Sequence, residues 1–469
     1  MNTNYPRLIL AGAHSRAGKT TITMGLILAL KNRGLAVQAF KAGPDYIDPS
    51  YHTLASGRAC RNLDTWMLSQ DAVLELFERQ ARACDISVIE GVMGLYDGLR
   101  EGEEGSTAHL AKILDAPVIL IVDAHSMSRS AGAVVLGYKE FDKGVGLKGV
   151  ILNNIGSAAH YNSVRGVIET STGLPVLGFL SRDKSLTLPE RHLGLIPTAE
   201  STSLGVYAEK LSAIVAKNMD IDRIIEIAKA AEPLPDFKKE IFAQASAQGT
   251  ATIAVARDEA FNFYYQDSLD ILEHYGARLV EFSPVRDKSL PPEADGVYIG
   301  GGFPELFAKD LSQNIELKKD IYAKAASGMP VYAECGGLMY LVKELSDFEG
   351  RDFPMVGIFD ASVRMGDRLA ALGYADIEMV EDNILSRKGA KARAHLFHWS
   401  RLDNLSEKER RAYKVTKNGK SLADGLVKWN TLASYSHIHF GSNTGFAKNF
   451  IRSCHDAKEA ACEIRHNAG

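Results

Sequence analysis

Short apolar runs recur along the chain at the spacing of a strand–helix series. Residues 7–11 (RLILA) are strand formers and lead into a Gly/Ser-rich loop. TTITMGLILALKNRG follows with apolar positions at helical spacing and a closing Gly34. Further short apolar runs come at AVQAFKA (36–42), ISVIEGV (86–92), PVILIVDA (117–124), GVILNNI (149–155) and LPVLGFL (174–180). Strands alternating with helical segments predict a parallel sheet flanked by helices, an α/β fold. Such sheets hold ligands at the carboxyl ends of their strands, where this chain places Asp, Glu and Asn.

The rhythm breaks near residue 232. The stretch 232–250 has two prolines, then small and polar residues, and reads as a linker. A second strand–helix series opens at TIAVARDEAF (252–261) and continues through ARLVEFSP, GVYIGGGFPE, MPVYAECGGL and TLASYSHIHFGSN. The expected organisation is a domain over 1–231, the linker, a second α/β domain over 251–446 and a polar tail helix over 447–469. No internal repeat or low-complexity tract interrupts it.

Composition narrows the class. With 46% hydrophobic and 24% charged residues, the chain reads as soluble and globular. A formal net charge of −4 gives no basis for binding nucleic acid or an anionic membrane. The basic stretch 408–411 reads as a solvated helix face. Five cysteines are scattered without a CxxC pair, which argues against a disulfide framework or structural zinc. Cys454 with His455, and Cys462 with His466, read as parts of the tail helix rather than a metal site. The N-terminal MNTNYPRLIL lacks the basic start of a signal peptide, and no apolar run is long enough to span a bilayer. A cytoplasmic protein is expected.

GAHSRAGKTT (12–21) sits between a strand and a helix. Gly12, Ser15, Gly18, Lys19, Thr20 and Thr21 fit a phosphate loop one residue longer than the standard Walker A spacing. Loop and helix N–H groups cradle phosphates, Lys19 neutralises the β and γ oxygens, and the Thr20 hydroxyl is a ligand for Mg²⁺. Magnesium prefers oxygen donors and takes only one or two carboxylates. Asp45 in KAGPDYIDPSYH and Glu90 in VIEGVMGLYDG lead the candidates, with Asp48 and Asp97 in the same loops. A turn or capping role is the ordinary alternative for each aspartate. Asp123 stands second to these, and Asn153 is a candidate for reading the adenine edge. ATP and Mg²⁺ are the cofactors implied.

AECGGL places Cys335 after an apolar strand and before a helix, as in a nucleophile elbow. A helix N-terminus favours the thiolate, and the flanking Gly336 and Gly337 are not what a merely packed cysteine needs. A base is required. SYSHIHF supplies His437 and His439, which alternation puts on one face, so pattern alone does not choose between them. Backbone N–H groups of YIGGGFPE (298–305) suit an oxyanion hole.

Together these residues resemble the cobyrinic acid a,c-diamide synthases of the cobalamin-pathway amidotransferase group. The matching stretches are AGAHSRAGKTT, FKAGPDYIDPSYH, NLDTW, VIEGVMGLYDG, RHLGLIP, AVARDEAFNFYY, YIGGGFPE, YAECGGLMYL and SYSHIHF, from about residue 8 to 445. The loop spacing also resembles that of dethiobiotin synthetase. The resemblance implies a P-loop amidoligase domain followed by a class I glutamine amidotransferase-like domain. The first phosphorylates the c and then the a acetate of a corrin-type ring. The second releases ammonia from glutamine through a thioester, and the ammonia displaces phosphate. On that reading Cys335 is the nucleophile and His437, after Tyr435 and Ser436, its base. Lys19, Thr20, Asp45, Glu90 and Asp97 serve ATP, Mg²⁺ or the activated carboxylate.

The group is expected to use a dyad without an acidic third member, in keeping with His439 two positions after His437. Ala394, Leu396 and Ala375 depart from the family pattern, in segments expected to face the macrocycle or the domain interface. Amidation of nickel-sirohydrochlorin, sirohaem or hydrogenobyrinic acid is the alternative within the class. A P-loop partitioning or switch ATPase is the alternative outside it, and it leaves Cys335 and His437 without a task. A regulatory protein with a decayed glutaminase conflicts with the intact Cys and His. The expected partners are small molecules (tetrapyrrole, glutamine and ATP) and a second copy in a homodimer.

Overall fold

A computed structural model of the chain describes residues 4–186, 188, 190–191, 194–195, 197–198, 204–242 and 250–467. RHLGLIP (191–197), residues 243–249 of the linker and the end of the tail lie partly or wholly outside them. The chain divides into two compact units, Met1–Glu240 and Ile241–Gly469. The division falls inside the 232–250 stretch.

The first unit is built on seven strands: β1 (Arg7–Gly12), β2 (Val37–Ala42), β3 (Arg61–Leu63), β4 (Ile86–Glu90), β5 (Val118–Asp123), β6 (Leu147–Ile155) and β7 (Val176–Ser181). They pair in the order β3-β2-β4-β1-β5-β6-β7, all parallel. Every residue of β1, β2 and β4 is buried. That is why these strands read as unbroken apolar runs, since a parallel sheet covered on both faces has no solvent side. Helix α1 (Lys19–Asn32) opens directly from the phosphate loop, and α2 (Asp48–Ser56) from the loop after β2. β1 lies between β4 and β5, so the loops after β1, β2 and β4 converge at one end of the sheet.

The second unit carries a ten-stranded sheet. Its strands are β8 (Ala251–Ala256), β9 (Ala277–Phe282), β10 (Gly296–Ile299), β11 (Val331–Glu334), β12 (Ala371–Met379), β13 (Lys391–His398), β14 (Arg410–Lys417), β15 (Lys420–Lys428), β16 (Thr431–Ser434) and β17 (Ser436–Ile438). The order is β9-β8-β10-β11-β16-β15-β14-β12-β13-β17. The first five are parallel and the rest antiparallel. The last strand follows the fifth with only Tyr435 between them. The antiparallel half therefore curls back until β17 stands near the end of β11. A separate four-stranded sheet is formed by Val342–Ser346, Asp352–Pro354, Phe359–Met365 and Ser400–Asp403.

Two sequence expectations change. The stretch 408–411 is a turn and the start of β14, not a helix face. Its continuation has the strand period, with Ala412, Tyr413 and Val415 buried. The polar tail is an amphipathic helix, Thr444–Asn467, which begins before residue 447. Phe446, Ala447, Phe450, Ile451 and Cys454 form its buried stripe at helical spacing. It packs on β8 and the helix Gln266–His274. Cys454 belongs to that interface, and burial pushes its thiol pKa up, while His455 lies against Asp456 and Glu459. The two do not form a metal pair.

Candidate active sites

The loop after β1 forms the floor of a cavity of ≈ 570 Å³ lined by Ser15, Gly18, Lys19, Thr20, Thr21 and Asn153. Asp45, Asp48, Glu90 and Lys41 line it as well. The extra loop residue is accommodated by left-handed backbone at Arg16 (φ 67°) as well as at Gly18 (φ 94°). A side chain at Gly18 would collide with the Asn153 amide, which donates to the Ala17 carbonyl at 3.0 Å. Asn153 thus fastens the loop as well as facing the cavity. Gly12 lies behind the loop, where a Cβ would meet Lys19 Nζ at 3.0 Å. Lys19 donates to the Met93 carbonyl at 2.6 Å. Burial, then the nearby Lys41, lower its pKa, a cost that an anionic ligand would offset.

Lys41, at the end of β2, is the residue that sequence reading missed. Its Nζ lies 2.6 Å from Asp48, 3.0 Å from Glu90 and 4.0 Å from Asp45. Burial alone would lower its pKa, but the three carboxylates outweigh burial and hold the ammonium well above its ordinary value. Glu90 also faces His52 of α2, and its Oε1 accepts from Thr20 Oγ1 at 2.9 Å. Burial would raise the Glu90 pKa, but Lys41 and His52 hold it well below the carboxylate range. The signal for Lys41 was its place in a fully buried strand, because a charge there requires partners.

The remaining acids divide. Asp45 caps α2 by accepting from the Ile47 and Asp48 amides at 2.8 and 3.0 Å, and its carboxylate still faces the cavity. Asp97 accepts from the Gly94 amide at 2.9 Å within its own turn and is not among the cavity-lining residues. Asp123 likewise serves a turn, accepting from His125 N and Asn154 Nδ2.

In the second unit Cys335 sits at the sharp turn between β11 and the helix Gly336–Leu341, with φ 48° and ψ −100°. A non-glycine residue there costs about 1–3 kcal/mol and presents its side chain outward from the sheet end. Cβ atoms at Gly336 or Gly337 would press on Gly302 or Ile299 backbone, so both neighbours of the elbow must be small. Cys335 Sγ lies 3.5 Å from the Phe397 carbonyl of β13. The Gly300 amide donates to Tyr264 Oη and the Gly301 amide to Phe263 O. The Gly302 amide is the one beside the elbow, 3.1 Å from where a Gly336 Cβ would stand. Gly302 itself has φ 154°, and a Cβ there would strike Ala260 O.

β17 brings His437 to this elbow. Burial lowers its pKa, but Cys335 and then Glu334 outweigh burial and raise it to about 9. His437 Nδ1 lies 3.7 Å from Glu334 Oε2. His439 is separated from it. The strand ends at Ile438, and His439 caps the turn Phe440–Ser442 with its ring against Tyr265. Burial lowers the His439 pKa to about 3. His395, opposite His437 in register, is lowered to about 3 by burial and by His437. His398 stacks on Tyr435 and is lowered to about 4, chiefly by burial.

The three departing residues are buried in the second unit. Ala375 and Ala394 are cross-strand partners in β12 and β13, and they and Leu396 are buried. Strand alternation turns them into the interior of the unit.

Residues 8–196 match the model of the CobQ/CobB/MinD/ParA nucleotide binding domain, and residues 252–445 that of the CobB/CobQ-like glutamine amidotransferase domain. A cobyrinate a,c-diamide synthase of Dehalococcoides mccartyi (strain CBDB1) is 48% identical over 460 residues, 97% of this chain and 99% of the relative. One from Priestia megaterium is 43% identical over 455 residues, 97% of this chain and 98% of the relative. One from Archaeoglobus fulgidus is 44% identical over 454 residues, 96% and 97%.

Proposed function

Because this chain belongs to the cobyrinate a,c-diamide synthase family, we propose that it converts the a and c acetate carboxylates of cobyrinate to amides, with ATP for activation and glutamine as nitrogen donor. The observation that carries the reading is the pairing, in one chain, of a phosphate-loop cavity with a Cys335–His437 elbow. A partitioning ATPase has no use for the second.

In the first unit a carboxylate oxygen of the substrate attacks the γ-phosphorus of ATP, ADP leaves, and an acyl phosphate forms. Loop amides and Lys19 hold the phosphates. Lys41 keeps Glu90 compensated beside the incoming polyanion and lies against Asp48, whose carboxyl pKa burial and Asp45 push well up. The oxygen donors of Thr20, Glu90 and Asp45 fit Mg²⁺, a hard cation, and Thr20 Oγ1 already lies 2.9 Å from Glu90 Oε1. Bound with ATP, that ion supplies neutralisation of phosphate charge. Ammonia then displaces phosphate from the acyl carbon and loses a proton, leaving the amide.

In the second unit His437 takes the Cys335 thiol proton, and the sulfur attacks the glutamine carboxamide carbon. The Gly302 amide is placed to donate to the developing oxyanion. His437 returns its proton to the departing ammonia, and water cleaves the thioester to glutamate and free thiol.

Among the described residues no helix is long and apolar enough to cross a membrane. A cytoplasmic setting with small-molecule substrates goes with this reading. The test is an amidation assay with cobyrinate, hydrogenobyrinic acid, sirohaem and nickel-sirohydrochlorin side by side. Two successive ATP-dependent mass changes with cobyrinate are expected; turnover confined to another ring would reject the substrate.

A further inference from the structure

Behind His437 lies a buried carboxylate that the Cys/His chemistry above does not use. Glu334, the residue before the nucleophile, is 2% exposed. Its Oε1 accepts from Tyr332 Oη at 2.6 Å and from the Ile438 amide at 3.0 Å. Its Oε2 accepts from Tyr298 Oη at 3.0 Å and faces His437 Nδ1 at 3.7 Å. A carboxylate this deep is costly unless it is held and used, and three donors hold it. Burial, then Glu334 itself, raise the pKa of both tyrosines, so they remain neutral donors.

The direction of the contact matters. Glu334 lies on the Nδ1 side of the ring, while the Nε2 and Cε1 edge faces Gly301 beside the elbow. A carboxylate on the Nδ1 side favours the tautomer with the proton there and leaves Nε2 to take the thiol proton. It also stabilises the imidazolium that results. The bond from the Ile438 amide to the same carboxylate ties β17 to the end of β11, so one side chain sets both the charge and the placement of the base. The other histidines near this ring, His395 and His398, are held neutral and do not compete for the proton.

We propose that Glu334 is the acidic third member of the glutaminase site, a positioning residue that acts through His437. The proposal adds a third member to the dyad expected from His439 in the second position after the base. The carboxylate comes from the strand that ends in the nucleophile instead of the strand that carries the histidine. The inference rests on the Cys335–His437 reading of the second unit.

The test compares Glu334→Gln with wild type in the full chain, using glutamine and ammonia as alternative nitrogen donors. Glutamine-dependent kcat is expected to fall by about 10⁴-fold, by analogy with loss of the orienting acid in other triads, with KM for glutamine nearly unchanged. The decisive readout is the pH dependence of inactivation by iodoacetamide, scored as loss of glutamine-dependent activity. Without the carboxylate the thiolate–imidazolium pair is weaker, and the midpoint moves upward by about one pH unit or more. A wild-type midpoint in the Gln variant, whatever its stability, would reduce Glu334 to a packing role and overturn the proposal. Where Glu334→Gln does not fold, Tyr298→Phe decides. It strips one donor from Oε2, and the midpoint moves downward; an unmoved or raised midpoint overturns the proposal. Glutamine-dependent activity surviving in Cys335→Ala would instead remove the parent reading.

Discussion

The two sites solve the problem of buried charge in opposite ways. In the first unit, ionisable groups are abundant and crowded, with burial and then Asp45 pushing the Asp48 carboxyl pKa well up against the pull of Lys41. Lys19, Lys41, Asp45, Asp48 and Glu90 line one cavity and offset one another until a polyanion enters. In the second unit, charge is sparse and confined to one thiol–imidazole pair and the carboxylate behind it. One thiol proton moves to His437, and a strained turn at Cys335 presents the sulfur. The first site sits on regular parallel strands with its ligands in loops. The second depends on a sheet that curls until β17 reaches the end of β11. The difference teaches that ionic substrates can be met by a standing network, whereas covalent catalysis needs a single group held in one geometry.

The comparison is broken most severely by removing the centre of the network. Lys41→Met leaves Glu90, Asp48 and Asp45 uncompensated in a buried cavity. Losing one partner of such a cluster costs about 3–5 kcal/mol. A large fall in the unfolding midpoint of the first unit is expected in calorimetry, with loss of amidation from glutamine and ammonia alike. An unshifted midpoint would mean that the network is not under electrostatic load.

A smaller effect sharpens the division of labour. Asp45→Asn keeps the cap on α2 but removes a carboxylate from the cavity. Amidation is expected to fall by about 10- to 100-fold with either nitrogen donor, while basal glutamine hydrolysis persists. Unchanged amidation would remove Asp45 from the site.

The smallest effect is a pH dependence of stability from His437. Its folded pKa, about 9, is above the ordinary histidine value of 6.5, so its stabilising contribution is fully present below about pH 6.5. That contribution is lost as pH rises through about 9. The melting midpoint of wild type should exceed that of His437→Gln most at pH 6, and the gap should narrow toward pH 10. A gap that widens with pH would contradict a histidine held protonated.

Much of this was legible in the sequence, for identifiable reasons. The parallel strands announced themselves because burial on both faces leaves unbroken apolar runs, as in RLILA and VILIVD. The phosphate loop and the Cys335 elbow are local, set by glycines adjacent in sequence. The partners that arrive from elsewhere were not legible. Lys41 reads as one polar residue in a strand until Asp48 and Glu90 close around it. Glu334 reads as a strand end until β17, some hundred residues later, places His437 beside it. Alternation alone put His437 and His439 on one face, but the strand stops at Ile438 and the two rings part. The tail helix was legible, but its buried stripe was not, because it is short and diluted by charges, yet Phe446, Phe450 and Cys454 bury it.

On the proposed function, one chain holds two separable chemistries that share ammonia. The most direct test is amidation of cobyrinate by Cys335→Ala with glutamine and, separately, with ammonium salt at matched pH. The expected result is loss of glutamine-dependent turnover to background with near wild-type turnover on ammonia. Failure of ammonia to support the variant, or persistence of glutamine-dependent turnover without Cys335, would contradict the account.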